Sequence, residues 1–226
     1  MSSIVHKLEP ITLVGAGPLS ESDLMQSLAL APHLVAADGG ASHCLSYDLI
    51  PEAVIGDMDS FEALEAQGVP ATRLHPVAEQ DSTDFDKALR HTVAPVVLAV
   101  GFTGGRLDHE LACFNGLVRH AHQPCILIGD VDVICLAPPQ LRLTVAAGTR
   151  VSLFPMAAVT GRSEGLQWPI EGIAFAPDGS IGTSNAATGP VSMAFDAPGM
   201  LLILPKRVLP ELLTQLQQAP ATWPVP

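Results

Sequence analysis

The chain has 226 residues, 48% of them hydrophobic and 15% charged, enough for one large folded domain or two small ones with a real core. Lys and Arg number 11 against 23 Asp and Glu, a formal net charge of −12 that argues against a nucleic-acid partner, whose phosphates are held by basic patches. No signal-peptide pattern opens the sequence and no apolar run approaches a membrane span, and Cys44, Cys113, Cys125 and Cys135 form no CxxC pair, so the chain reads as a cytoplasmic protein with reduced, buried thiols.

In chain order, Ile11–Val14 reads as a strand and Gly15-Ala16-Gly17-Pro18 as the turn after it; with no third glycine, this Gly-x-Gly does not complete a dinucleotide fingerprint. Glu21–Ala31 has helical periodicity. Leu34–Ala37 is a second strand, ending at Asp38-Gly39-Gly40, where the acid can bind a ribose hydroxyl or serve an ordinary Asp-Gly turn. Ala53–Ile55 leads into Gly56-Asp57-Met58-Asp59-Ser60. Val96–Val100 leads into a glycine loop, Leu111–Ala121 reads as a helix, and Cys125–Ile128 as another strand. Strands alternating with helices imply a mainly parallel, Rossmann-like α/β sheet covered on both faces, with ligands at the carboxyl ends of its strands. Past Pro138-Pro139 the segments 141–145, 151–154, 191–195 and 200–204 are short and β-like, separated by Gly, Pro, Asn and Asp turns. The expected division is therefore an α/β domain over 1–138 and a smaller antiparallel β domain over 139–226. A short helix at Leu209–Gln218 and a loose proline-rich end complete the tail.

Three clusters carry chemistry. Asp57 and Asp59 are two apart, so on extended chain both carboxylates point the same way and reach one ion; the plainer alternative is a polar turn with Ser60 as a helix cap. Asp81, Asp84 and Asp86 open a helix with apolar positions Phe85, Ala88 and Leu89; capping explains one or two acids there but not all three. Lys87 reads as a solvated or ion-paired side chain, with contact to a phosphate as the lesser alternative. Gly101–Arg106 follows a strand; its glycines let backbone N–H groups approach an anion and Arg106 can grip phosphate oxygens bidentately, while on this loop alone a tight strand–helix turn explains the residues equally well. No Gly-Lys-Ser/Thr follows, so this is not a P-loop. Asp108 can cap the next helix, and His109 reads as a hydrogen-bonded structural histidine. Converging carboxylates repel unless a cation lies between them. Oxygen donors in that number suit Mg²⁺, which binds through carboxylates and substrate phosphates. The trio therefore reads as a metal-dependent nucleotide enzyme. In the β-like half, Trp168 within Gly165–Pro169 is either a stacking platform or the closure of the β core, and the residues alone favour the core; Ser184-Asn185 is a polar turn.

Together these residues resemble the thiamine pyrophosphokinase family. The order Asp-Gly-Gly at 38–40, Gly-Asp-x-Asp-Ser at 56–60, Gln-Asp-x-Thr-Asp-x-x-Lys-Ala at 80–88 and Gly-Gly-Arg-x-Asp-His at 104–109 follows its pattern, as do Gly-Leu-x-Trp at 165–168 and Ser-Asn at 184–185. The resemblance implies an N-terminal ATP- and Mg²⁺-binding domain, a C-terminal thiamine-binding β-sandwich, and a homodimer with thiamine held between one subunit's N-terminal domain and its partner's C-terminal domain. By position, Asp57, Asp59 and Asp84 are the Mg²⁺ ligands. Asp38, Gly39, Gly40, Gln80, Thr103, Gly104, Gly105, Arg106 and Asp108 fall on the ATP side. Trp168 stacks on the thiamine pyrimidine, with Ser184 and Asn185 as polar contacts. The catalytic set is Asp57, Asp59, Asp81, Asp84 and Arg106, with Asp81 or Asp84 accepting the hydroxyl proton. The implied reaction is ATP plus thiamine giving AMP plus thiamine diphosphate. A metal-dependent phosphohydrolase and a non-catalytic nucleotide-binding module are the alternatives.

Overall fold

The computed structural model describes residues 3–57, 61–79, 81–219 and 221–225. Four residues of the sequence motifs, Met58, Asp59, Ser60 and Gln80, lie outside the described residues. The chain divides into two compact units, Met1–Gly116 with Leu127–Gly129, and Leu117–Ile126 with Asp130–Pro226.

The first unit is built on short runs of Val, Ile, Leu and Ala that are buried on both faces, the signature of parallel strands. Its elements are β1 (Val5–His6), β2 (Ile11–Val14), α1 (Glu21–Leu30), β3 (His33–Ala37), α2 (Gly40–Ser46), β4 (Ala53–Gly56), α3 (Phe61–Ala66), β5 (Leu74–Pro76), α4 (Asp84–Arg90), β6 (Thr92–Val93), β7 (Val97–Val100), the start of α5 (Leu107–Arg119) and the end of β8 (Cys125–Ile128). The main sheet has the order β5-β4-β3-β2-β7, all parallel, with Leu13 opposite Val35 on one side and Ala99 on the other. A separate parallel ladder joins β1 and β6. Helix α1 packs on β2 and β7, α2 on β2 and β3, and α4 on β3 and β4. Ser20 caps α1 by accepting the Asp23 N–H at 3.2 Å, and the one polar side chain in β2, Thr12, donates to the Ala31 carbonyl at 2.7 Å. The strand order matters for function. From β2 the chain runs outward through β3, β4 and β5, then returns to place β7 on the other side of β2. The crevice beyond the carboxyl ends of β2 and β7 is thus the topological switch point, where open α/β sheets bind ligands.

The second unit is antiparallel. Its strands are β9 (Asp132–Leu136), β10 (Gln140–Leu143), β11 (Arg150–Pro155), β12 (Gly161–Leu166), β13 (Gly182–Phe195) and β14 (Met200–Pro205), followed by α6 (Leu209–Gln217). The order is β10-β13-β11-β14-β9, and β12 also pairs with β13. The first residues of β13 pair with β11 and the later ones with β10 and β12. Helix α6 has Pro near its start and buries Leu209, Leu212, Leu213 and Leu216 at i, i+3, i+4 and i+7, packing on β10. The expected loose end does not hold at Trp223. Its indole is buried and donates through Nε1–H to the Ala137 carbonyl at 2.9 Å, because an aromatic body with one donor finds both an apolar slot and an acceptor there. Among the described residues no helix is long and apolar enough to cross a membrane.

Candidate active site

The turns after β2 and β7 press against each other. Gly15 and Gly17 donate N–H groups to the Val100 and Gly101 carbonyls at 2.8 Å, and a Cβ at Gly15 would stand 2.6 Å from the Gly101 carbonyl oxygen. That approach, rather than contact with a phosphate, explains the glycine at 15. Beside the two turns opens a cleft of about 530 Å³. Gly17, Pro18, Asp57, Asp84, Lys87 and Arg106 line it, with Thr103, Gly105, His109 and Cys113. It lies at the switch point of the first unit.

The carboxylates arrive from successive strand ends. Asp57 follows β4. Asp84 is the first residue of α4, whose cap is Thr83: its hydroxyl accepts the Asp86 N–H at 3.3 Å. Asp38 follows β3 with φ +40°, in the left-handed region, and its N–H donates to the Ile55 carbonyl at 2.9 Å. A Cβ at Gly56 would meet the Asp38 Cβ at 2.6 Å, so a glycine at 56 is what lets Asp38 sit against β4. Burial raises the pKa of Asp84 above the usual carboxylate range. Lys87 opposes that shift, while the negative charges of Asp38 and Asp57 add to it. Asp38 and Asp57 therefore act on Asp84 through space.

Of the two leading readings of Lys87, solvated or ion-paired, the structure gives the ion pair. Its side chain is 4% exposed, and Nζ lies 3.3 Å from Asp84 Oδ1, whose own side chain is 41% exposed. One turn of α4 places i and i+3 on the same face, which makes the pair. Asp86 turns the other way, buried, with Oδ2 4.0 Å from Arg90 Nη1; Arg90 in turn donates to Glu79 at 2.8 Å. Of the acids at this helix end, Asp84 lines the cleft, Asp86 points into the fold, and Asp81 is exposed without lining the cleft.

In the glycine loop, Thr103, Gly105 and Arg106 line the cleft, while Gly104 donates its N–H to Glu110 Oε2 at 3.1 Å. Arg106 holds Asp108 in a two-bond fork, Nε to Oδ1 at 3.1 Å and Nη2 to Oδ2 at 2.6 Å, both side chains exposed. Asp108 spends its carboxylate there, with its pKa held low by the guanidinium. Asp38, Gly39 and Gly40 stand behind the lining: Gly40 opens α2 and Gly39 precedes it.

Several lining residues escaped the sequence reading. Ala16, Gly17 and Pro18 were set aside for lack of a third glycine, but the turn after the central strand next to a switch point is a ligand site whatever its motif. Phe85 and Phe102 pack with ring centroids 4.8 Å apart and form the apolar wall, and Cys113 lies in the lining with a buried side chain. Burial pushes the thiols of Cys44, Cys113 and Cys135 up to about 12, and Glu110 adds to the shift at Cys113. We expect these three to resist a disulfide reagent in native protein at pH 8, where thiolate is the reactive form, and to react on unfolding. Rapid native labelling of all three would contradict their burial.

In the second unit, Trp168 does not close the core. The residue is 57% exposed. The backbone holds it: Trp168 N–H donates to Asn185 Oδ1 at 3.1 Å, and Asn185 Nδ2 donates back to the Trp168 carbonyl at 2.7 Å. Asn185 is buried, so this reciprocal pair fixes the loop that presents the indole. Ser184, at φ +63°, donates its N–H to Ser152 Oγ at 3.0 Å.

Among the described residues no three His, Cys, Asp or Glu side chains form a ready metal-binding group, and Asp59 lies outside them. The donor chemistry nonetheless fits a hard divalent cation: the acids are all oxygen donors, and their charges reinforce one another at Asp84.

Residues 24–129 match the family model described as thiamin pyrophosphokinase, catalytic domain, a stretch that includes Asp38, Asp57, Asp84 and Arg106 but not Trp168. Thiamine pyrophosphokinase 1 of Arabidopsis thaliana is 30% identical over 154 residues, 60% of this chain and 58% of that protein. Thiamine pyrophosphokinase 2 of Oryza sativa subsp. japonica is 29% identical over 155 residues with the same coverage. The chain thus spans about 58% of the length of these curated relatives. Among solved structures, thiamin pyrophosphokinase from Geobacillus thermodenitrificans is similar with a TM-score of 0.69 at 24% identity, covering 87% of this chain and 96% of that one. The yeast thiamin pyrophosphokinase has a TM-score of 0.70 at 14% identity, covering 95% and 94%. At these identities the structural likeness speaks for the fold.

Proposed function

We propose that the chain belongs to the thiamine pyrophosphokinase family and that it transfers the pyrophosphoryl group of ATP to the hydroxyl of thiamine, giving thiamine diphosphate and AMP. The observation that carries the reading is the convergence at the switch point: Asp38 and Asp57 act on Asp84 beside a cleft that also holds Lys87 and Arg106. A polyphosphate needs fixed cations, and a cation site needs converging carboxylates.

In this reading Asp57, Asp59 and Asp84 hold Mg²⁺, which would neutralise the polyphosphate and orient it for in-line attack. Arg106 exchanges Asp108 for phosphate oxygens, a swap its fork geometry permits without rebuilding the loop. Thr103 and Gly105 line the same cleft. Phe85 and Phe102 give the cleft an apolar side suited to excluding water. Of the two candidate proton acceptors, Asp84 is the one that lines the cleft. The hydroxyl attacks the β-phosphorus, the bond to the α-phosphate oxygen breaks, and AMP leaves. Alignment and charge stabilisation do more here than base strength.

The reading extends to residues 1–138 as the ATP- and Mg²⁺-binding domain and 139–226 as a thiamine-binding β-sandwich, with Trp168, Ser184 and Asn185 on the thiamine side. It extends also to a homodimer with the active site at the subunit interface. Four free, buried cysteines fit a reducing, cytoplasmic setting. The test is product analysis with ATP and Mg²⁺, with and without thiamine. AMP forming in step with thiamine diphosphate, and only with thiamine present, is the expected result. Phosphate or ADP release independent of thiamine would overturn it and favour a phosphohydrolase.

A further inference from the structure

We propose that Lys87 is a positioning residue that couples cation binding to nucleotide binding: its ammonium competes with a divalent cation for Asp84 and, once displaced, is compensated by the anionic oxygens of the incoming polyphosphate. The inference rests on the proposed ATP- and metal-binding reading of this cleft. Three observations carry it. The Lys87 side chain is 4% exposed, so its charge cannot be left to water. Among the described residues it pairs with Asp84, Nζ to Oδ1 at 3.3 Å, one of the acids assigned to the cation. And Lys87 lines the same cleft as Asp84, so both partners of the pair border the space a ligand would fill.

A buried ammonium without an anion is strongly disfavoured. A cation that binds Asp84 alone must therefore loosen the Lys87–Asp84 pair and leave the ammonium poorly compensated. A nucleotide entering with the cation supplies the missing anion. Cation and nucleotide then bind better together than either does alone, and by thermodynamic linkage the benefit is reciprocal. Arg106 does not serve this coupling. It sits exposed on Asp108, outside any competition for Asp84. Lys87→Met keeps the length and apolar stem of the side chain and removes only the competing charge. Asp84, being partly exposed, is then free to hydrate or to take a cation.

The experiment measures Mn²⁺ binding by paramagnetic resonance and calorimetry, with and without an ATP analogue whose α and β phosphorus atoms are bridged by methylene. It compares the intact protein, Lys87→Met and Lys87→Arg. We expect Mn²⁺ alone to bind Lys87→Met about tenfold more tightly than the intact protein, and the improvement in Mn²⁺ affinity brought by the analogue to shrink by a similar factor, within the usual range of coupling between sites. Lys87→Arg, which keeps the charge, should retain most of that improvement. Circular dichroism and melting of each variant establish that it is folded. Unchanged Mn²⁺ affinity in folded Lys87→Met, with normal Mn²⁺ binding by the intact protein, would overturn the role of Lys87 alone. An intact protein that binds no Mn²⁺, with or without the analogue, would overturn the metal-dependent reading as well.

Discussion

Asp57→Asn is expected to lower turnover by about a hundredfold to a thousandfold, the range seen when one preorganised electrostatic group is lost from an active site, while the protein melts at or above its usual temperature. Asp57 follows β4 at the cleft, and its charge already disfavours ionised Asp84. Removing it relieves repulsion in the folded state and removes a proposed metal ligand, so stability and activity move in opposite directions. Asp84→Ala supplies the contrast. It removes the carboxylate that meets the buried Lys87 ammonium, and leaving such a donor unsatisfied costs about 1–3 kcal/mol. Here activity and melting temperature fall together. Steady-state kinetics at saturating Mg²⁺ and calorimetric melting of both variants check the pair. Near-native turnover in Asp57→Asn would remove this residue from the site.

Trp168→Ala is expected to raise the KM for thiamine about tenfold or more, with little change in the KM for ATP. An indole face stacks on a flat pyrimidine and attracts a cationic thiazolium, contacts worth about 1–2 kcal/mol when partly desolvated. Trp168 is 57% exposed, and its position is set by backbone bonds to Asn185, which the substitution keeps. Folding stability should therefore stay within about 0.5 kcal/mol, as for other surface changes. Asn185→Ala should differ: it breaks the buried reciprocal pair, so thiamine affinity and stability drop together. With a site shared between subunits, Asp57→Asn chains mixed with Trp168→Ala chains regain partial activity, because one of the two sites in such a heterodimer carries neither lesion. An unaltered thiamine KM in Trp168→Ala would leave the indole as an ordinary surface residue.

The first unit was largely legible because its strands are uniformly apolar and each ends in a distinctive turn. Ile11–Val14, the strand ending at Ala37, and Cys125–Ile128 fall where the pattern puts them, and α1 occupies Glu21–Leu30. The second unit was less so. β12, Gly-Arg-Ser-Glu-Gly-Leu, buries only Ser163 and Leu166, too little alternation to signal a strand, and β13 begins nine residues before the apolar run at Val191 that announced it. At the cleft, acid types and spacing identified Asp57 and Asp84, but spacing is blind to which way a helix faces. Spacing alone does not separate Asp84 from Asp86, which only the family resemblance told apart, and the packing of α4 on β3 and β4 turns one toward the cleft and the other inward. The same packing buries Lys87, whose type alone predicts solvent. Trp168 failed in the other direction: hydrophobicity suggests burial, and the bond pair with Asn185 keeps it out.

The length of β13 bears on how the second unit comes apart. Its early residues hold the ladder to β11, and its later residues hold β10 on one edge and β12 on the other. Pulling β13 out takes the ladder partner from β10 and β12 at once and leaves β11 held by β14 alone. Amide protons across β10, β12 and β13 should then exchange with solvent through one shared opening event rather than a graded series. A substitution anywhere along Gly182–Phe195 is accordingly felt by every strand of that ladder, which makes this segment the least forgiving stretch of the unit for redesign.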